Sequence, residues 1–250
     1  MSDRVLEDLR AALMLLTRLP VRTAHEAAPD LSRSVWAYPV VGAAVGLIGA
    51  ALFGLTMFFG LPATIAAALA VAAMVLATGA FHEDGLADTA DGFGGGATTE
   101  RKLEIMRDSR IGTYGAIAIA ISLLIRITAL ASLPSVLTAG IALITLGGLS
   151  RGAIVALLAT LPPARPDGMG AVAARPERPV VLIGSLLALL PLVFWPLPEA
   201  GFILIAAAAA TAIVWWLSRK QIGGYTGDVL GAGQQVSECA CWIVVAALFN

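Results

Sequence analysis

Asp84, Asp88 and Asp91 are spaced i, i+4 and i+7 within the stretch from His82 to Ala97. On a helix that spacing sets three carboxylates on one face. Like charges held together repel unless a cation sits among them. The grouping therefore points to bound Mg²⁺, and Mg²⁺ points to phosphate chemistry. Glu83 adds a fourth acid, and no base follows until Arg101. A plain solvated loop more often mixes the signs of its charges. Gly85, Gly92, Gly94, Gly95 and Gly96 would let a bulky ligand approach the backbone closely. The chain has no glycine–lysine loop of the Walker type, so phosphate would be held by metal and arginine.

Other segments carry weaker signals. Arg107 and Arg110 are three residues apart and could share a helical face. Their guanidinium forks suit phosphate oxygens, although arginines at a membrane edge also serve as plain anchors. Gly223 to Gly233 combines dense glycine with Thr226 and Asp228. That is the composition of a ligand-holding turn, but taken alone a simple interhelical loop explains it better. Pro163 to Gly170 contains Arg165 and reads otherwise as a proline-rich linker. Arg126 and Arg151 lie inside apolar stretches. An intramembrane arginine costs at least about 2.5 kcal/mol, so each is expected to face the bundle interior or a polar cavity. A ligand and a structural partner explain either arginine equally well. His82 adjoins the acids and is open to metal ligation, orientation of a carboxylate or proton transfer, though a lone histidine at a membrane edge is more often structural.

The elements that must position these groups follow from composition. The chain has 250 residues, of which 58% are hydrophobic and 13% charged. A soluble domain carries about 25% charge. The deficit identifies an integral membrane protein, and the net charge of −1 argues against a nucleic-acid binder. Seven apolar stretches approach spanning length: Trp36–Phe59, Pro62–Phe81, Thr113–Leu133, Val136–Leu161, Val180–Leu197, Ala200–Leu217 and the short Val236–Phe249. Basic residues alternate along the connections. They precede the first span, recur at Arg101 to Arg110, at Arg165 to Arg178 and at Arg219-Lys220, and are missing from the turns between. By the positive-inside rule the charged segments 1–34, 82–112, 162–179 and 218–235 are expected on the cytoplasmic side of an inner membrane. Val5, Leu6, Leu9, Ala12, Leu13 and Leu16 recur at helical spacing opposite Asp3, Glu7 and Arg10. They predict an N-terminal amphipathic helix that lies on the inner membrane surface or packs against the bundle. Charged residues interrupt the N-terminal apolar positions, so no cleavable signal is expected. Cys239 and Cys241 point in different directions on a helix and are expected to be packing residues rather than a disulfide. The predicted fold class is an all-α, polytopic membrane bundle of about seven spans plus this amphipathic helix, forming one catalytic domain over residues 1–250.

Taken in order, the motifs resemble those of the cobalamin synthase family, the adenosylcobinamide-GDP ribazoletransferases. The family's His-x-Asp-Gly-x-x-Asp-x-x-Asp-Gly stretch is matched by residues 82–92, and its Asp-Ser-Arg-x-Gly stretch by residues 108–112. A Ser-Arg pair is matched by Ser150-Arg151, and an Ala-Arg-x-x-Gly-x-Gly stretch by residues 164–170. A Gly-Gly-x-Thr-Gly-Asp-x-Leu-Gly-Ala stretch is matched by residues 223–232, followed by Glu238. An early Thr-Arg-x-Pro element is matched by Thr17 to Pro20. The set spans residues 17–238, and its order makes it specific. Glu83 departs from the pattern, standing where an apolar residue is more usual, and could add a ligand or face water. Prolines also replace the tyrosine common before Ala164.

The resemblance implies a Mg²⁺-dependent enzyme of the cytoplasmic membrane. It would join α-ribazole, or its 5′-phosphate, to adenosylcobinamide-GDP, giving adenosylcobalamin, or its 5′-phosphate, and GMP. Its expected partners are these corrinoid and ribazole substrates and the lipid bilayer; a homo-oligomer is compatible with the sequence. Asp84, Asp88 and Asp91 are the expected Mg²⁺ ligands and, with Arg110, the expected catalytic groups. His82, Asp108, Ser109, Arg151, Arg165, Gly224, Thr226, Gly227 and Asp228 are the expected substrate contacts. Which carboxylate accepts the hydroxyl proton is left open. Two other readings fit less well. A CDP-alcohol phosphotransferase would carry arginine rather than Asp88 in its motif, and a second aspartate pair. A secondary transporter would place its binding groups near the midplane and show repeats.

Overall fold

The computed structural model describes residues 2–21, 30–165 and 176–249. Among them the chain is helical throughout, with one isolated bridge between Pro163 and Tyr225. The elements are α1 (Ser2–Leu16), α2 (Leu31–Ser34), α3 (Tyr38–Phe58), α4 (Ala63–Thr78), α5 (Phe81–Gly95), α6 (Thr99–Ile105), α7 (Thr113–Ala131), α8 (Val136–Thr160), α9 (Arg178–Leu189), α10 (Leu197–Ile222) and α11 (Gly227–Phe249).

Five described helices, or six if the bent pair α4–α5 counts as one span, are long and apolar enough to cross a membrane. The expected seven is not reached. The stretch after Val180 gives only α9 and a 3-10 turn over Leu190–Phe194. Pro191, which has no N–H to donate, interrupts it. The last span begins earlier than its hydropathy suggested, at Gly227 rather than Val236. The expected connection 218–235 therefore shrinks to residues 223–226, and 82–112 is mostly the helices α5 and α6.

The turn from α4 into α5 is 87°. Two successive left-handed residues make it, Gly79 at φ 65° and Ala80 at φ 57°. Gly79 suits that conformation, and a Cβ there would also run into the Arg18 side chain. The bend takes α5, with its four carboxylates, out of the direction of the spans.

α3 and α8 form the most intimate pair. A Cβ added at Gly42 would strike the Gly147 carbonyl, and one at Gly46 the Leu143 carbonyl. Small residues four apart let two backbones touch, which is how helices associate in lipid. Two apolar clusters result. The first holds Leu143, Leu146, Leu130 and Trp242. The second holds Tyr38, Ile154, Leu158, Tyr225 and Val229, and the C-terminal half of α1 joins it through Ala12 and Leu16. The amphipathic helix thus packs on the bundle, while Val5 and Leu6 stay exposed. Cys239 and Cys241 are free thiols, Cys241 fully buried. Replacement of Gly46 by leucine should cost about 1–3 kcal/mol or more through overpacking. A thermal unfolding midpoint in detergent that matches the parent would refute this account of the α3–α8 contact.

Candidate active site

The helical period divides the acids of α5 between two environments. His82, Glu83, Gly85, Ala87 and Thr89 are buried, whereas Asp84 is exposed and Asp88 half-buried. Asp84 and Asp88 thus share the open face that their spacing predicts. A Cβ at Gly85 would come within 2.8 Å of the Asp228 carbonyl, so the buried side of α5 next to that face meets the start of α11. Burial, and the negative charges of Asp84, Asp228 and Asp91, push the Asp88 carboxyl up to about 7 against the opposing pull of Arg165.

Arg165 is brought in by the short pairing after α8. Tyr225 N–H donates to the Pro162 carbonyl at 2.9 Å, and Ala164 N–H to the Tyr225 carbonyl at 2.8 Å. Gly224 permits it, because a Cβ there would strike the Pro162 carbonyl. Arg165 Nη2 then lies 3.5 Å from Asp228 Oδ2. Thr226 is 2% exposed; its hydroxyl donates to Asp228 Oδ2 at 3.1 Å and accepts from Val229 N–H at 3.3 Å. It caps α11 rather than facing a ligand, and Gly224 likewise shapes the turn. Gly227 has open space where a side chain would go. The rest of the expected arginine-glycine element, residues 166–170, lies outside the described residues.

Asp91, expected as a third metal ligand, has another position. Its Oδ2 accepts from Gly112 N–H at 2.7 Å and its Oδ1 from Gly115 N–H at 2.9 Å. It caps the N-terminus of α7, where a carboxylate meets unpaired N–H groups and the positive end of the helix dipole. Side chains at Gly112 or Gly115 would collide with it. Beyond Asp91 opens a cleft of about 480 Å³ that includes Arg101, Arg107, Asp108, Arg110 and Tyr114 in its walls. Arg110 is exposed and grips Asp108 with two bonds, Nε to Oδ1 at 3.1 Å and Nη2 to Oδ2 at 2.7 Å. That grip holds the Asp108 carboxyl down at about 2. Ser109 between them is exposed.

Arg151 and His82, expected to contact substrate, are enclosed instead. Arg151 Nη1 lies 3.4 Å from Glu238 Oε2 and donates to the Gly147 carbonyl at 3.1 Å. His82 is 1% exposed, and neither ring nitrogen has a hydrogen-bond partner. Glu83 neither faces water nor joins the open acids. Its Oε1 accepts from Arg126 Nη1 at 2.8 Å. Glu238, which the sequence marks only as a motif residue, is the centre of this buried group; its spacing from Asp228 carries no signal that it would meet two arginines.

Among the described residues no three His, Cys, Asp or Glu side chains are gathered tightly enough to enclose a metal by themselves. What the fold gathers is Asp84, Asp88 and Asp228 with Arg165. Residues 8–246 match the family model described as cobalamin-5-phosphate synthase. The chain belongs to that family. It is 48% identical to a protein of Azorhizobium caulinodans over 95% of this chain and 94% of that one. It is 45% identical to one of Mesorhizobium japonicum over 99% and 95%, and 44% identical to one of Bradyrhizobium diazoefficiens over 97% and 94%. All three relatives are named adenosylcobinamide-GDP ribazoletransferase. No solved structure matches the chain.

If Asp91 is a cap and not a ligand, Asp91→Ala should lower stability by about 1–2 kcal/mol, the loss of a helix cap. Any dependence of its activity on Mg²⁺ should match the parent's. A new or raised Mg²⁺ requirement, with an unchanged unfolding midpoint, would mark Asp91 as a metal ligand instead of a cap.

Proposed function

We propose that this chain is an adenosylcobinamide-GDP ribazoletransferase, with its site at the cytoplasmic mouth of the bundle. The observation that carries the reading is the convergence of Asp84, Asp88, Asp228 and Arg165 from three segments distant in sequence. The crowding that pushes Asp88 up to about 7 is what a cation relieves, so the donor set fits one. Mg²⁺ commonly uses one or two carboxylates and completes its shell with phosphate oxygens and water, which accords with a set too open to enclose an ion alone. Asp84, Asp88 and Asp228 are the residues that would hold it. When bound there, Mg²⁺ supplies positive charge against the diphosphate of the nucleotide substrate.

The chain's own groups do the rest. Arg165, 3.5 Å from Asp228, offers a guanidinium to the same phosphates. Arg110, exposed beside the 480 Å³ cleft, can exchange Asp108 for a phosphate oxygen. The 5′-oxygen of α-ribazole forms the new bond to the phosphorus that stays on the cobinamide. The bond from that phosphorus to GMP breaks, and the hydroxyl proton passes to a carboxylate of the open group. Such transfer relies on position and charge more than on covalent help. The cytoplasmic orientation is supported by the basic residues that gather on the site's side of the chain.

The test is GMP release from adenosylcobinamide-GDP and α-ribazole by the protein purified in detergent. Asp84→Asn should lower turnover about 100-fold or more, the usual scale for loss of one electrostatic group. Chelation should abolish the reaction and Mg²⁺ restore it. Near-normal turnover of Asp84→Asn would remove that carboxylate from the mechanism. Arg165→Ala should raise KM for the nucleotide substrate about 10-fold, the loss of one charge-assisted bond. It should leave KM for α-ribazole close to the parent's.

A further inference from the structure

Four charges are buried where the proposed reaction does not use them. Arg126 Nη1 lies 2.8 Å from Glu83 Oε1, and Arg126 Nε lies 3.3 Å from Glu238 Oε1. Arg151 Nη1 lies 3.4 Å from Glu238 Oε2. No side chain in the group is more than 6% exposed. Gln234, Gln235 and Ser150 fill in around them: Gln235 Nε2 donates to Glu83 Oε1 at 3.0 Å, and Gln234 Nε2 to Ser150 Oγ at 2.9 Å. Two guanidiniums and two carboxylates leave no net charge.

We infer that Glu83, Arg126, Arg151 and Glu238 are positioning residues that fix how α5 and α11 face one another, and so set the relation of Asp84 and Asp88 to Asp228. The inference rests on the reading of those three aspartates as the phosphate and cation site. The α5–α11 contact is made by glycine on both sides. A Cβ at Gly85 would meet Asp228, and one at Gly231 would meet His82 within 3.3 Å. Glycine lets backbones approach but offers no knob against rotation or sliding. The charges supply that restraint. Glu83 projects about 100° around the helix from Asp84, given 3.6 residues per turn. Arg126 from α7 and Gln235 from α11 hold one oxygen of Glu83, so α5 is tied to two helices one residue from the open acid. Glu238, about 15 Å along α11 from Asp228 at 1.5 Å per residue, is held by arginines from α7 and α8. Apolar replacement of a buried ion pair can leave stability unchanged. It does not replace the direction that the pair imposes.

The test uses the double variant Glu83→Leu with Arg126→Leu, which removes one acid and one base together and keeps Arg151 with Glu238. The full chain in detergent is followed by size exclusion and thermal unfolding, by Mn²⁺ titration of the substrate-free protein in EPR, and by kinetics of GMP release. The variant should fold. Mn²⁺ affinity should fall about 10-fold or more, the scale on which supporting residues act on metal sites. kcat should fall about 10- to 100-fold while KM for the nucleotide substrate stays within about 3-fold, as expected when reacting groups are misplaced but still present. A folded double variant with parental Mn²⁺ affinity and kcat overturns the inference. If the double variant fails to fold, Glu83→Asp decides, because it keeps the charge and shortens its reach. Weaker Mn²⁺ binding supports the inference there, and parental values overturn it. Asp84→Asn is the control for the underlying reading. If it binds Mn²⁺ and turns over like the parent, the site itself is misassigned. If it loses both while the folded double variant does not, only the positioning role fails.

Discussion

The pairing of Glu83, Arg126, Arg151 and Glu238 is the constraint around which the bundle is arranged. The four side chains come from α5, α7, α8 and α11, one from each. They lie between the two apolar clusters. On α8 the first cluster ends at Leu149 and the second begins at Ile154, with Arg151 between them. On α11 the second cluster includes Leu230 and the first begins at Cys241, with Glu238 between. An ion in such surroundings is disfavoured by several kcal/mol, and removal of one partner from a buried pair costs about 3–5 kcal/mol. Only when all four helices are in place is each charge answered, so the network couples their positions.

That coupling explains why neighbouring acids on one helix have different fates. Glu83 and Asp84 are adjacent in the chain, yet the first is buried against Arg126 and the second is open. Asp88 follows Asp84 on the open face. Asp91, nearly two turns on from Asp84, is drawn under α7 by two N–H groups. One short helix thus carries a structural acid, two acids on its open face and a cap for α7. The identical charge does three jobs because burial and available donors differ along 9 residues.

Much of this was legible in the chain. The spacing of Asp84 and Asp88 gave their common face, and the inward direction of Arg126 and Arg151 followed from the cost of arginine in hydrocarbon. The membrane bundle followed from composition, and the order of motifs gave the family. What the sequence hid were pairings between distant segments. Nothing in the local pattern of Asp91 indicates Gly112 and Gly115 as its partners, and ideal i, i+7 alignment made it look equivalent to Asp84. From the sequence Glu83 could add a ligand or face water, because its partner lies 43 residues away. The glycines at 92, 94 and 95 disfavour a helix locally, since each weakens an isolated helix by about 1 kcal/mol. Packing against α6 and α7 outweighs that preference: a Cβ at Gly92 would strike Met106, and one at Gly94 would strike the Tyr114 ring. Span counting missed in the same way, because hydropathy does not register the 87° turn at Gly79-Ala80 or the break at Pro191.

The membrane gives this arrangement a physical rationale that the chemistry alone lacks. Asp84 lies in the first turn of α5, Arg165 just past the end of α8 and Asp228 at the start of α11. Inside a bilayer, burial of apolar surface does little to favour one helix contact over another, because lipid tails are as apolar as leucine. Close approach is available through Gly42, Gly46 and Gly147 and through Gly85 and Gly231, but it leaves helix rotation free. A direction-dependent force is needed, and ion pairing in a low dielectric is one of the few that strengthens there. On this reading the spans form a frame whose registration is set by buried charge, while Asp84 stays exposed near the start of α5. A soluble bundle could hold the same three aspartates, but water would screen the pairs that aim them.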